Sequence, residues 1–264
     1  MTYLTSCATN GLSERYAQAL ENIAQAEREA GAAAGSTKLI VVSKTHAADL
    51  VLELMQLGAI DFGENRDQEA GPKAFEVAEA VTAAREGGTW LGADASWHFI
   101  GQLQSNKVKS VLRYASSIHS LDRESLLQAL VKELAKPQDA QSLAPLSTAA
   151  RAEGHPLPVF IELNLTGQAE RGGILPENLL AFAEQVLQHK TLKLEGVMGV
   201  AGLDVEPAAD FDRIRLASEQ LQTLVPEAKH ISAGMSGDYQ EAIRHGATHV
   251  RIGTSITGKR DYSV

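Results

Sequence analysis

Lys44 closes an apolar run, KLIVVS at 38–43, and no other position in the sequence invites covalent chemistry so directly. A lysine ending a buried strand carries its amine to the mouth of the fold. Loss of hydration there disfavours the ammonium and frees the amine as a nucleophile. The same position also suits a lysine whose head simply reaches solvent. A second kind of chemistry is suggested by two segments of small residues, ISAGMSGD at 231–238 and RIGTSITG at 251–258. Each offers free backbone amides and hydroxyls where a helix starts, an arrangement that suits an anion. The plainer role for Gly234 and Gly253 is a tight turn, and for Ser236 a helix cap.

These residues need a scaffold that brings strand exits together. Strand-like and helix-like segments alternate along the chain, after an N-terminal helix expected at 11–31. The strands are expected at 38–43, 59–63, 97–101, 117–120, 158–163, 194–200, 229–232 and 248–252. The continuous apolar run of strand 1 suits a parallel strand covered on both faces. Between the strands lie helical periods, such as Leu126, Leu127, Leu130, Val131 and Leu134 behind a capping Asp122, or Phe211, Ile214, Ala217 and Leu221. Asp210, Asp212 and Glu219 read as the solvated face of the latter helix. The last full helix is expected at 237–245. Eight such units predict an α/β fold, a single (β/α)8 barrel spanning 1–264 with an extra N-terminal helix. Segments 85–96 and 136–157 read as loops or extensions.

The chain has 264 residues, 44% hydrophobic, 5% aromatic, with a formal net charge of −9. Leu, Val, Ile and Ala must therefore fill most of the core. No basic stripe suggests nucleic acid. The one cysteine, Cys7, cannot form an internal disulfide, which fits a reducing compartment. No run approaches a membrane span and no leader is visible, so a cytoplasmic chain is expected. No His, Cys and Asp spacing resembles a metal site. His98 is expected to be packed or hydrogen-bonded near the barrel wall, and His46 and His119 lie near strand ends, where a proton role is open.

In a barrel of this kind the active site lies at the C-terminal ends of the strands. Lys44, Asn65, Gln102, Asn164, Ser232, Met235, Ser236, Arg251, Gly253 and Thr254 all fall there. Phosphate is often held by the loops after strands 7 and 8, and strand 8 lies beside strand 1. An amine next to a phosphate cradle points to a phosphorylated carbonyl ligand. Two classes fit: a Schiff-base aldolase on a sugar phosphate, or a protein of pyridoxal phosphate.

Seven segments in order narrow the choice: KLIVVSKTHAADL, FGENRDQEA, WHFIGQLQSNK, IHSLDRESL, GVMGV, ISAGMSGDYQEAI, and VRIGTSITG with KRDYS. Over nearly the whole chain from residue 11, this series resembles the pyridoxal phosphate homeostasis protein family. The resemblance implies a barrel like the N-terminal domain of alanine racemase, without that enzyme's second domain. It implies that Lys44 forms a Schiff base with pyridoxal 5′-phosphate and that Asn65 lies beside the ring. Ser232 and Ser236, with the backbone of Gly253 and Thr254, would hold the phosphate. Met235 would line the pocket and Arg251 would face the pyridine nitrogen. A guanidinium only donates hydrogen bonds, so the ring would stay unprotonated and be a poor electron sink.

The racemase takes a second acid/base, a tyrosine, from a dimer partner. Tyr3, Tyr16, Tyr114, Tyr239 and Tyr262 include no obvious replacement. The resemblance accordingly implies a cofactor carrier acting in vitamin B6 and amino-acid balance, expected to be monomeric and without turnover, serving pyridoxal phosphate-requiring apoenzymes. A monomeric racemase is the alternative. Three positions depart from the family pattern: KTHAAD lacks an early proline, Gln102 stands in place of another, and Arg171 replaces a lysine that could accept the cofactor's aldehyde.

Overall fold

The computed structural model describes residues 11–136, 155–166, 171–202 and 206–258. It opens on helix α1, Leu12–Ala30. Strand β1, Lys38–Val42, leads to α2, Ala48–Gln56, and β2, Asp61–Glu64, to α3, Asp67–Glu86. Strand β3, Ser96–Phe99, is followed by a 3-10 turn and α4, Val108–Val111; β4, Ser117–Leu121, by α5, Glu124–Leu134. Then come β5, Leu157–Glu162, a second 3-10 turn with α6, Leu179–Leu187, β6, Leu192–Met198, and α7, Pro207–Leu224. The chain closes with β7, His230–Ser232, α8, Tyr239–Arg244, β8, His249–Ile252, and α9, Thr254–Thr257.

The strands form a closed barrel in sequence order, each parallel to the next, with β1 paired to β8 from Lys38↔His249 to Val41↔Ile252. The expected eight-fold α/β barrel and its closure are therefore present. Several bounds moved by a residue or two: β2 begins at Asp61 rather than 59, and β3 ends at Phe99 rather than 101. Helix α8 is shorter than the expected 237–245, because Gly234 to Asp238 form the loop instead. Segment 85–96 holds the end of α3 and a loop carrying Leu91, which is 98% exposed. Residues 137–154 of the other extension, with Cys7, Tyr3 and Tyr262, lie outside the described residues.

Apolar packing between the helices and the barrel wall follows the periods in the sequence. In α5, Leu126, Leu127 and Leu130 are buried, and in α7, Phe211, Ile214, Ala217 and Leu221. Two local expectations are corrected. Asp122 does not cap α5: that helix starts after Arg123 without a side-chain cap, and buried Asp122 accepts a hydrogen bond from Arg123 instead. Asp210 is not solvated. It is buried and accepts from the Gly202 amide and Arg213, tying α7 to the β6 exit.

Helix α1 packs against α8 and α9 on the β8–β1 side of the barrel. Arg15 Nε donates to the carbonyl of Ile256 at 2.7 Å. Buried Glu27 accepts the amides of Gly35 and Thr37, which fixes the connection into β1.

Barrel interiors are normally filled by branched aliphatic side chains. This one is partly polar and aromatic. His119 is wholly buried, stacks on Phe160 at 4.2 Å, and meets His98 at its edge. His98 is buried and hydrogen-bonded at the barrel wall, as expected, while His119 takes a position expected for Leu or Ile.

Candidate cofactor site

The first residue past β1 to leave the core is Lys44. Ile40, Val41, Val42 and Ser43 are buried, and Lys44 is exposed. Lys44 therefore reaches solvent at the β1 exit, the plainer of the two readings of its position. What the protein does is hold the backbone on either side of it. Ser43 Oγ donates to Glu64 Oε1 at 2.8 Å, and Lys73 Nζ donates to the Ser43 carbonyl at 2.8 Å and to Glu64 Oε1 at 2.6 Å. On the other side Thr45 adopts φ +67°, a left-handed conformation that a β-branched residue avoids, and its amide donates to Glu69 Oε2 at 3.1 Å. Lys44 thus sits between two pinned neighbours.

Glu64, Lys73 and Glu69 were missed in the sequence. Glu64 stands inside the FGEN segment and could have been suspected. Lys73 follows a Gly-Pro within a helix, with nothing to mark it as buried. Burial pushes the Glu64 carboxyl up, against the lowering effects of Lys73 and Ser43.

Asn65 follows β2 and is half-buried. Its backbone rests on Gly101: a Cβ on Gly101 would stand 2.3 Å from the Asn65 carbonyl oxygen. Gly101 therefore sets where Asn65 sits. Asn65, Gln102 and Glu69 line a cleft of about 470 Å³ between the β2 and β3 exits.

The exits of β7 and β8 are joined. Gly253 N donates to Ser236 Oγ at 3.2 Å, and Arg251 N donates to the Gly234 carbonyl at 2.9 Å. Ser236 therefore links two loops rather than capping α8. Gly234 has φ +89°, and a Cβ there would come within 2.7 Å of Tyr239 Cα and Ala242 Cβ, so it is more than a turn residue. Met235 and Thr254 are exposed beside this junction.

Ser232 lies deeper than the other residues expected to hold phosphate. It is wholly buried, and its hydroxyl meets Arg251 Nη1 at 2.7 Å and His119 Nδ1 at 2.9 Å. Arg251 also donates to the carbonyls of Ser232, at 2.7 Å, and Gly199, at 3.0 Å. Burial lowers the Arg251 pKa to about 10, so the guanidinium stays charged at neutral pH. Glu162, at the end of β5, is a further group the sequence did not flag. Burial and the Asp122 charge raise it to about 7, while Arg251 and Arg123 oppose them.

Tyr16 lies at the opposite mouth, and Tyr114 donates to Asp67. Tyr239 packs against Gly234. Among the described residues no group of His, Cys, Asp and Glu could hold a metal ion, and no helix is long and apolar enough to cross a membrane.

The fold and strand-exit lysine define a class. Residues 16–261 match the family model "Alanine racemase, N-terminal domain". The particular family follows from closer relatives. The chain is 36% identical over 239 residues to the "Pyridoxal phosphate homeostasis protein" of Mycobacterium leprae, covering 89% of this chain and 88% of the relative. It is 35% identical over 251 residues to the protein of that name from Pseudomonas aeruginosa, covering 95% and 96%. The structure of PipY from Synechococcus elongatus PCC7942, with PLP bound, superposes with a TM-score of 0.73 at 28% identity, covering 94% of this chain and 100% of that one. This chain belongs to the pyridoxal phosphate homeostasis protein family, built on the alanine racemase N-terminal fold.

Proposed function

We propose that this chain holds pyridoxal 5′-phosphate covalently on Lys44 and serves as a carrier in intracellular vitamin B6 and amino-acid balance, without turnover. The observation that carries the proposal is the convergence of three features at one barrel mouth. These are an exposed lysine pinned through both neighbours, two loops joined by Ser236 and Gly253, and a buried arginine on the adjacent strand. The residues fit the group. The hydroxyls of Ser236 and Thr254 are donors suited to a phosphate, beside a Gly253 amide that Ser236 Oγ already accepts, and Met235 supplies an apolar edge. Arg251, charged and donor-only, suits an unprotonated ring nitrogen. Asn65 stands on the next strand exit. Ser232 supports this set by holding Arg251, since its own hydroxyl is engaged below the rim.

When bound, the cofactor supplies an aldehyde for lysine and an electron sink whose strength depends on ring protonation. This chain's residues bind and orient it, and Arg251 keeps the sink weak. Relatives are named as homeostasis proteins, and PipY carries PLP. These names support a carrier over the monomeric racemase. The tyrosine that the racemase borrows from a partner has no counterpart we can assign among Tyr16, Tyr114 and Tyr239. Residues 1–264 are read as one cofactor-binding unit, monomeric and cytoplasmic, delivering to apoenzymes that need the cofactor.

The test is the visible absorption of the purified protein beside Lys44→Ala, before and after borohydride. A band present in the parent, absent in the variant and fixed to Lys44 by borohydride is expected. A colourless parent that takes up no added pyridoxal phosphate would transfer the site to a sugar-phosphate aldolase. Deuterium exchange at Cα of added amino acids separates carrier from racemase: rapid exchange with racemisation overturns the carrier.

A further inference from the structure

A chain of hydrogen bonds crosses the barrel interior from the cofactor end to the opposite mouth. Arg251 Nη1 donates to Ser232 Oγ at 2.7 Å, and Ser232 Oγ meets His119 Nδ1 at 2.9 Å. His119 Nε2 meets His98 Nδ1 at 2.9 Å, and His98 Nε2 meets Asp61 Oδ1 at 2.7 Å. The five residues come from β8, β7, β4, β3 and β2. At the far end Asp61 and His98 line a cavity of about 730 Å³, together with Lys38 and His249.

The direction of this chain is determined by its ends. Arg251 can only donate and a carboxylate can only accept. Both imidazoles are neutral, because burial holds His98 below the usual histidine range and His119 well below it. A neutral imidazole donates from one nitrogen and accepts at the other. His98 must therefore be protonated on Nε2, facing Asp61, and accept at Nδ1. His119 must then be protonated on Nε2 and accept the Ser232 hydroxyl proton at Nδ1. Ser117 lies 2.8 Å from His98 Nδ1 and 3.2 Å from His119 Nε2, and a detour through its hydroxyl runs the same way. In the reverse polarity two imidazole lone pairs would face each other across 2.9 Å. With the forward polarity, the lone pairs of Ser232 face Arg251.

We infer that Asp61, at the far mouth of the barrel, is a positioning residue for Arg251, acting through His98, His119 and Ser232, and so contributes to how firmly the cofactor is held. This rests on the proposed role of Arg251 toward the cofactor ring. The chain is a costly thing to bury, since a partly satisfied polar network in a barrel core is worse than an aliphatic one. Every member here is paired, and the pairing depends on Asp61 accepting.

The experiment uses full-length protein with 15N-labelled histidine, His98 and His119 being assigned through His98→Gln and His119→Gln. Parent protein is expected to show both rings protonated on Nε2 alone. Asp61→Ala should give mixed tautomers at His119, the ring hydrogen-bonded to Arg251's own partner Ser232, and should weaken binding of added pyridoxal phosphate about five- to tenfold. Asp61→Asn, whose amide oxygen still accepts, should restore both. A parent ring protonated on Nδ1 breaks the chain and overturns the inference without any variant. Unchanged tautomers and unchanged affinity in Asp61→Ala overturn it equally. A parent that binds no pyridoxal phosphate removes the proposed function and this inference together, whereas normal binding with the wrong tautomers removes only the inference.

Discussion

Lys73 Nζ lies 2.6 Å from Glu64 Oε1, and both groups are almost wholly shielded from solvent. The pair sits directly beneath Lys44, because the same ammonium also holds the Ser43 carbonyl. Removing one partner strands a charge in the core. Lys73→Met should cost about 3 to 5 kcal/mol of stability and loosen the exit of β1. The double variant Lys73→Met with Glu64→Leu should recover most of that loss. Urea unfolding of the three proteins measures it, and a double variant no more stable than the single would show that the pair is not the cause.

Glu162 makes stability depend on pH in a stated direction. Its folded pKa of about 7 lies above the ordinary 4.5 because burial, then the Asp122 charge, disfavour the carboxylate. The folded state thus holds a proton that the unfolded chain releases. The contribution is fully present below about pH 4.5 and is lost as pH rises through about 7, amounting to at most about 3 kcal/mol. Glu162→Gln should flatten the stability profile between pH 5 and 8. An unchanged slope in that variant would place the titration elsewhere.

Thr45 keeps its left-handed backbone at a cost, since that region disfavours residues with a Cβ. Thr45→Gly should raise stability by about 0.5 to 1 kcal/mol, the relief of strain exceeding the added chain entropy. Thermal unfolding checks the sign. If the strain orients Lys44, the more stable variant should also bind pyridoxal phosphate less tightly.

Gly101 is the floor under Asn65. Gly101→Ala must push the Asn65 backbone away, since 2.3 Å is far inside van der Waals contact. A loss of about 1 to 3 kcal/mol in stability is expected, with a fall in cofactor affinity at least as large as that of Asn65→Ala. Titration with pyridoxal phosphate compares the two. Affinity equal to the parent's would mean that Asn65 does not contact the ligand.

The order of strands and helices, the closed parallel sheet and the placing of Lys44 and Arg251 at strand exits were all legible in the sequence. They depend on local periodicity and on one rule of barrel architecture, both properties of neighbours along the chain. Other features depended on which residues meet across the barrel. Lys73 carried no mark of burial, Asp210 read as a solvated acid and Asp122 as a cap, and each proved buried with a distant or unexpected partner. Ser232 and Ser236 stand four residues apart in one small-residue loop, yet one faces the core with His119 and Arg251 while the other bridges to Gly253. Burial and hydrogen bonding between strands distant in sequence are set by closure of the sheet, which no local pattern encodes. The sequence by itself determined the barrel and the lysine at its first strand exit; only the tertiary structure decided what holds that lysine in place and what lies behind the arginine.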